Sequence, residues 1–385
     1  MIRYCRRCVM PETKPDILFD EQGVCSACRH FADRDDVDWE QRLLELDEIL
    51  DRYRSKTGGY DCIVPVSGGK DSTFQTLRVL ELGLNPLCVT AATCRLTDIG
   101  RRNLDNLKRL GVDSIEVTPN PNLRRRLNRL ALQQVGDISW PEHVAIFTVP
   151  VRLAVQLDVP LIVWGENSQN EYGGPAGAAK DNTLTRRWLE EFGGLLGLRV
   201  SDLVGQDGIR ERELLQYTYP TDADLAQAGV TGIFLGYYLP WDGWSNQVIA
   251  QAHGFETYPM FVEGSLVNYE NLDNAFHGVH DYFKFIKYGF GRATDLACMA
   301  VRRGRLSRRD AVELVRLHDG RFPWSYLGYA LEADVLDDLE LTLDEFVAIC
   351  DRFTNRRLFV LDRHGELVRD AKGNLTKLNY DNEPG

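Results

Sequence analysis

The chain has 385 residues, enough for one large or two medium domains with a sizeable core. Hydrophobic residues at 44% and charged residues at 26% are ordinary for a globular protein, and no run approaches the ~18 consecutive apolar residues of a membrane span. The net charge of −12 disfavours duplex or structured RNA as a partner, because an acidic chain is repelled at long range by phosphates.

The opening Met1-Ile2-Arg3-Tyr4-Cys5 lacks the apolar centre of a secretory signal, so the expected location is the cytoplasm. Cys5-x2-Cys8 and Cys25-x2-Cys28 follow, separated by 16 residues. Each pair supplies two thiolates on one turn, and the link lets the two turns close a tetrahedron around zinc. With four Cys ligands no position stays open for a reactive water, so this zinc is expected to be structural; redox or iron–sulfur chemistry are the alternatives. Residues 1–57 are read as this knuckle module and a linking helix, Trp39 to Arg54, with apolar residues at Leu43, Leu46, Ile49, Leu50 and Tyr53.

From residue 60 the pattern alternates. A strand at 60–66 precedes a helix at 72–82, and Pro86 to Thr90 precedes a helix at about 98–110. Ser114 to Thr118 is the third strand, followed by helices at 121–135 and about 143–157 and a strand at Leu161 to Trp164. Such βα units predict an α/β fold with a doubly wound parallel sheet, which binds ligands at the carboxyl ends of its strands. Residues 173–230 read as an insertion within a domain spanning 58–260, with a further strand at Ile233 to Tyr238 and a helix at about 243–253. Residues 261–385 read as mainly helical, with Ser307-x-x-Asp310 and Thr342-x-x-Glu345 as capping boxes and a loosely ordered tail after about 362. The basic runs Arg124-Arg125-Arg126 and Arg302-Arg303-Gly304-Arg305 are read as solvated helix faces.

The first strand runs into Ser67-Gly68-Gly69-Lys70-Asp71-Ser72. A Gly-Gly turn between strand and helix aims backbone N–H groups and a helix N-terminus at an anion. Lys70 is followed by Asp71 rather than Ser or Thr, so this is no Walker A loop. It resembles instead the PP-loop, SGGxDS, of the ATP pyrophosphatase superfamily. Trp140-Pro141-Glu142-His143, Trp164-Gly165-Glu166-Asn167, Glu171-Tyr172-Gly173-Gly174, Phe234-Leu235-Gly236-Tyr237-Tyr238 and Lys287-Tyr288-Gly289-Phe290-Gly291-Arg292-Ala293-Thr294-Asp295 look together like the N-acetyl sugar amidotransferases. The likeness covers most of residues 1–320.

That resemblance implies a fold and an activity. ATP would be cleaved between its α and β phosphates, the N-acetyl oxygen of a bacterial surface sugar adenylylated, and ammonia would displace AMP to leave an acetamidino group. The pathways implied are lipopolysaccharide O-antigen or nonulosonic acid synthesis. Ser67, Gly68, Gly69, Lys70 and Ser72 would hold pyrophosphate, and Asp71 is the implied carboxylate for Mg²⁺. Glu166, Asn167 and Glu171 would bind metal or the attacking amine, or else brace their loop. Arg292 and Asp295 would grip a substrate phosphate and a sugar hydroxyl, or pair structurally. His143 would shuttle a proton, or cap and pack its helix. Tyr237, Tyr238 and Trp241 read as core, with stacking on the sugar as the alternative. Residue 2 is Ile and no Gly-x-Cys-x-Gly elbow occurs, so ammonia is expected from a separate glutaminase partner. The rival expectation is a PP-loop tRNA thiolase, for which Cys94 would be the reactive thiol.

Overall fold

The computed structural model describes residues 2–166 and 195–378. Five parallel strands, β1 (Cys62–Pro65), β2 (Pro86–Ala91), β3 (Asp113–Val117), β4 (Leu161–Trp164) and β5 (Thr231–Phe234), form a sheet in the order β3-β2-β1-β4-β5. The chain winds outward from β1 to β3, then returns to the other side of β1 with β4. The strand order therefore reverses between β1 and β4, where a crevice opens at the carboxyl ends.

Alternation along each strand feeds two cores. Ile63, Leu87, Val89, Ile162 and Trp164 face helices α5 (Pro121–Val135) and α6 (Trp140–Leu157). Cys62, Val64, Cys88, Leu161 and Val163 face α2 (Trp39–Tyr53) and α3 (Lys70–Glu81). Cys62 and Cys88 are thus small core residues. Register places Ile63 opposite both Leu87 and Ile162, at the centre of the sheet.

Several expectations are corrected. The run Ile233 to Tyr238 is not one strand: β5 ends at Phe234 and Leu235–Tyr238 is a helical turn. Leu235 and Tyr238 both enter the α2-side core, which helical spacing permits and strand alternation does not. Within the insertion, residues 195–217 form short 3₁₀ turns whose Leu203, Leu214 and Tyr217 complete the core against α6. The tail is not loose up to residue 378. Bridges Phe359–Lys377, Leu361–Leu367 and Arg369–Leu375 fold it back, and Phe359 and Leu375 are buried. Its apolar residues are too far apart to show any period.

The C-terminal region carries α9 (His277–Tyr288), α10 (Arg292–Arg302), α11 (Arg308–His318) and α12 (Leu343–Phe353), following α1 (Ser26–Ala32), α4 (Asp98–Lys108), α7 (Asp222–Ala228) and α8 (Gly243–Ala252) earlier in the chain. Thr342 and Glu345 form the full reciprocal cap at α12, while at α11 Ser307 accepts from the Asp310 N–H. The cysteine module packs on α10 and α11 through Ala297, Cys298, Ala311 and Val315. Among the described residues no helix is long and apolar enough to cross a membrane.

Candidate functional site

The loop after β1 lies at the crevice. Gly68 takes φ +80°, and a Cβ there would stand 2.7 Å from the Leu104 backbone nitrogen, so only glycine fits. Gly69 caps α3, and its carbonyl accepts from the Ser72 and Thr73 hydroxyls at 3.0 Å each. The first N–H groups of α3 are thereby turned toward the cleft with the positive end of the helix dipole.

Lys70 is the centre of the charge arrangement. Its side chain is 5% exposed, pairs with Asp71, and lies 2.8 Å from Glu270 Oε1. Burial opposes its charge, but the Asp71 and Glu270 carboxylates outweigh burial and hold the ammonium well above the usual lysine range. Asp71 Oδ1 also accepts from Asn246 Nδ2 of α8 at 2.8 Å. The cleft above the loop is closed by Asn103 of α4, Phe255, and the segment Tyr269 to Asp273. Sequence reasoning missed Asn103, Asn246 and Glu270. The stretch around 267–274 has no periodicity or motif, and only folding brings it onto the loop.

The other expected residues separate into groups. Glu166 lies directly beyond β4 and beside Gly236, on the β4 side of the crevice. Asn167 and Glu171 lie outside the described residues. Arg292 bonds Asp281 at 3.2 and 3.4 Å, and its guanidinium donates to the Asn271 side-chain oxygen at 2.8 and 3.0 Å once that amide is set acceptor to donor. Asn271 lines the loop cleft, so Arg292 touches its wall through one residue. Burial raises Asp281, but Arg292 outweighs this and holds its carboxyl below the usual range.

Asp295 is not at the cleft wall. It is 3% exposed and pairs with Lys284 of α9. The glycine-rich block around it is a corner: Gly289 ends α9 at φ +74°, and a Cβ on Gly291 would meet Asp319 Oδ1 at 2.8 Å. Asp319 accepts from the Gly291 and Ala293 N–H groups (2.8 and 3.0 Å) and from the Thr294 hydroxyl, and so closes the start of α10. Asp319→Ala is expected to lower the unfolding free energy by about 1–2 kcal/mol, as loss of an N-terminal cap does, measured by denaturant titration. An unchanged midpoint would refute the capping role.

His143, in the first turn of α6, does not line the loop cleft either. His143 Nδ1 lies 3.2 Å from Asp137 Oδ2, and His280 Nδ1 lies 2.9 Å from Asp137 Oδ1. Burial disfavours charge on both rings. At His143 the Asp137 carboxylate outweighs it and raises the pKa; at His280 burial prevails and lowers it. Burial raises Asp137, but the two imidazoles hold it well below the usual carboxylate range.

The basic runs are not solvated faces. Arg124 is 5% exposed beside Glu142, Arg125 pairs with Asp338 and Arg126 with Glu213. Arg302 is buried in the field of the cysteines, while Arg303 and Arg305 both bind Asp242. The charges of Arg124, Arg125, Arg126, Arg303 and Arg305 are committed within the fold because each has an acidic partner distant in sequence.

The four knuckle sulfurs converge, each buried and all within 4.8 Å of one another. Cys5 and Cys28 sulfurs are 3.9 Å apart, Cys8 and Cys25 sulfurs 3.8 Å. Ligands about 2.3 Å from a tetrahedral zinc stand about 3.8 Å from each other, so the set fits that ion. The Cys8 and Cys25 N–H groups point at Cys5 Sγ (3.4 and 3.3 Å), which suits a thiolate.

Comparisons with known proteins add to this geometry. Over 88 residues the chain is 35% identical to the uncharacterized protein MJ1599 of Methanocaldococcus jannaschii, a stretch that is 22% of this chain and only 31% of that protein. NAD+ synthetase from Burkholderia pseudomallei is 13% identical at a TM-score of 0.24, over 59% of this chain and 91% of that one. Residues 255–372, which contain Glu270, His280, Arg292 and Asp319, match the C-terminal domain of WbpG-like LPS biosynthesis proteins, and over that stretch the chain is similar to an LPS-biosynthesis family.

Proposed function

We propose that this protein is an ATP-dependent amidotransferase that converts the N-acetyl group of a bacterial surface sugar to an acetamidino group. The observation that carries the reading is one juxtaposition. A phosphate-type loop at the sheet's switch point is covered by Tyr269 to Asp273, which belong to the stretch similar to the LPS-biosynthesis domain.

The acetamido oxygen attacks the α phosphorus of ATP, and the bond to the bridging oxygen breaks with its electron pair leaving on pyrophosphate. Ammonia then adds to the imidate carbon, the C–O bond breaks, and AMP departs; the surplus protons pass to solvent or a base. Backbone N–H groups of the loop and the Lys70 ammonium stabilise the charge that grows on pyrophosphate. Asp71 would hold Mg²⁺, which supplies charge neutralisation between the phosphates. Glu166, on the β4 side of the crevice, would receive the amine, and Asn167 and Glu171, outside the described residues, are the further candidates for that role. Zinc on Cys5, Cys8, Cys25 and Cys28 would be structural, since a full thiolate set leaves no open position. A separate glutaminase subunit would supply the ammonia.

One observation weighs against tRNA thiolation. Cys94 is half-buried beside Glu142, whose Oε1 accepts from the Cys94 N–H at 3.2 Å. Desolvation and that carboxylate push its thiol well above the usual range, away from the reactive thiolate.

The test is ATP-dependent AMP and pyrophosphate release with ammonium, across N-acetylated nucleotide sugars, free nonulosonic acids and total tRNA. Release that depends on a sugar, with oxygen replaced by NH in the product, is expected. Glutamine should not replace ammonium salts for the isolated chain. Release that depends on tRNA and a sulfur donor would overturn the reading.

A further inference from the structure

The cluster of Asp137, His143 and His280 serves none of the roles above and lies apart from the loop cleft. Three separate elements build it. Asp137 precedes α6, His143 sits in the first turn of α6, and His280 sits in the first turn of α9. We propose that these three side chains form a second metal site, of the two-histidine, one-carboxylate kind, for a borderline divalent transition cation such as Zn²⁺.

Distances are the first support. Two donor atoms bound about 2.0–2.2 Å from one cation at ordinary coordination angles stand about 3.0–3.5 Å apart. Asp137 Oδ2 to His143 Nδ1 is 3.2 Å, and Asp137 Oδ1 to His280 Nδ1 is 2.9 Å. One donor atom from each of the three residues lies within 4.8 Å of the other two.

Hydrogen bonding is the second and independent support. Asp137 Oδ1 accepts from the Ser139 N–H at 2.9 Å and meets His280 Nδ1, so its geometry is fixed. His143 Nδ1 is buried and lies 3.2 Å from Asp137 Oδ2 without the alignment of a regular hydrogen bond. A polar nitrogen that faces a carboxylate at this separation without an aligned hydrogen bond leaves room for a shared partner. A cation there satisfies both.

Chemistry selects the ion. Imidazole donors favour zinc, copper, nickel or iron over magnesium or calcium, which prefer all-oxygen sets. The Asp137 side chain is 5% exposed, while the His143 and His280 side chains are 27% and 24% exposed. The ion would sit on a buried carboxylate with its remaining coordination positions on the more open, histidine side. This distinguishes it from the closed tetrathiolate at the N-terminus. From His280 the row continues through His277, whose ring centroid is 6.4 Å away, to Asp273 on the wall of the loop cleft, 3.6 Å from His277 Nε2.

The two sites have separable signatures. Thiolate-bound cobalt gives an intense sulfur-to-metal charge-transfer band, whereas nitrogen- and oxygen-bound cobalt gives only weak visible bands. The experiment titrates cobalt(II) into the purified full-length chain and measures total bound metal by elemental analysis. Two equivalents are expected, only one of them adding to the thiolate band. Asp137→Asn and His280→Gln, each checked by circular dichroism and thermal unfolding, should lose the second equivalent and keep the thiolate band. A wild-type protein that binds only the thiolate equivalent overturns the site, whether or not the variants fold. Folded variants that still bind two equivalents overturn the ligand assignment. No outcome depends on which reaction the enzyme performs.

Discussion

Replacing Lys70 by Met is expected to abolish productive ATP use, with AMP release falling about a hundred- to a thousandfold, as when a transition-state charge donor is removed. The same change should destabilise the fold. Lys70 Nζ lies between Asp71 and Glu270 with almost no solvent, and its removal leaves two carboxylates facing one another. Removing one partner from a buried charge arrangement costs about 3–5 kcal/mol. Changing Glu270 to Gln in the Lys70→Met background removes part of that repulsion, so the double variant should be more stable than the sum of the singles. It should nevertheless stay inactive, because the lost charge on the pyrophosphate side is not restored. Lys70→Arg keeps the charge but lacks room, since an atom at the Gly243 Cβ position would already stand 3.3 Å from Lys70 Cε. Wild-type ATP binding and AMP release by Lys70→Met would remove Lys70 from the site.

The second large effect is expected at the cysteines. Cys25→Ser should cost the protein one equivalent of zinc and lower its thermal midpoint by about 10 °C or more, at about 2–4 °C per kcal/mol for a domain of this size. Structural zinc in small modules is worth about 10–16 kcal/mol of apparent binding energy at neutral pH, and that energy is also folding energy. Here the module does not stand alone. Cys5, Cys8, Cys25 and Cys28 share one core with Phe290, Ala297, Cys298 and Ala311, and the Arg308 side chain donates to the Cys5 and Cys8 carbonyls at 3.1 Å. Loss of the metal should therefore loosen α10 and α11 as well, which hydrogen exchange over 292–318 will register. A strong chelator should reproduce the shift in wild type and add little in Cys25→Ser. Unchanged zinc content and melting in the variant would show that the cluster is not a metal site.

Both sites rest on local sequence patterns. Two CxxC pairs are short-range features whose geometry is set within a turn, and the structure brings their sulfurs to zinc-like spacing. The strand–Gly-Gly–helix transition at 62–72 is equally local, because a positive φ at Gly68 and a cap at Gly69 follow from neighbours alone. Continuous apolar runs marked the central strands, since a parallel strand covered on both faces is apolar along its whole length. Where local pattern is ambiguous the structure departs from it: Leu235 and Tyr238 continue an apolar run yet curl into a helical turn.

What the sequence by itself determined was the set of building blocks: the cysteine knuckles, the glycine-rich loop, and the βα units that place that loop at a strand's carboxyl end. Tertiary structure alone decided which distant residues complete each site. Strand order puts β4 beside β1, the docking of residues 255–372 sets Glu270 on Lys70, and the packing of α9 against α6 brings His280 to Asp137 and His143. Arg292 and Asp295, neighbours in one sequence block, serve different pairs, Asp281 and Lys284, because the packing of α9 against α10 decides which partner each one meets. Periodicity and turn chemistry act over a few residues, whereas pairing across the chain depends on how whole layers pack, and no short-range pattern encodes that.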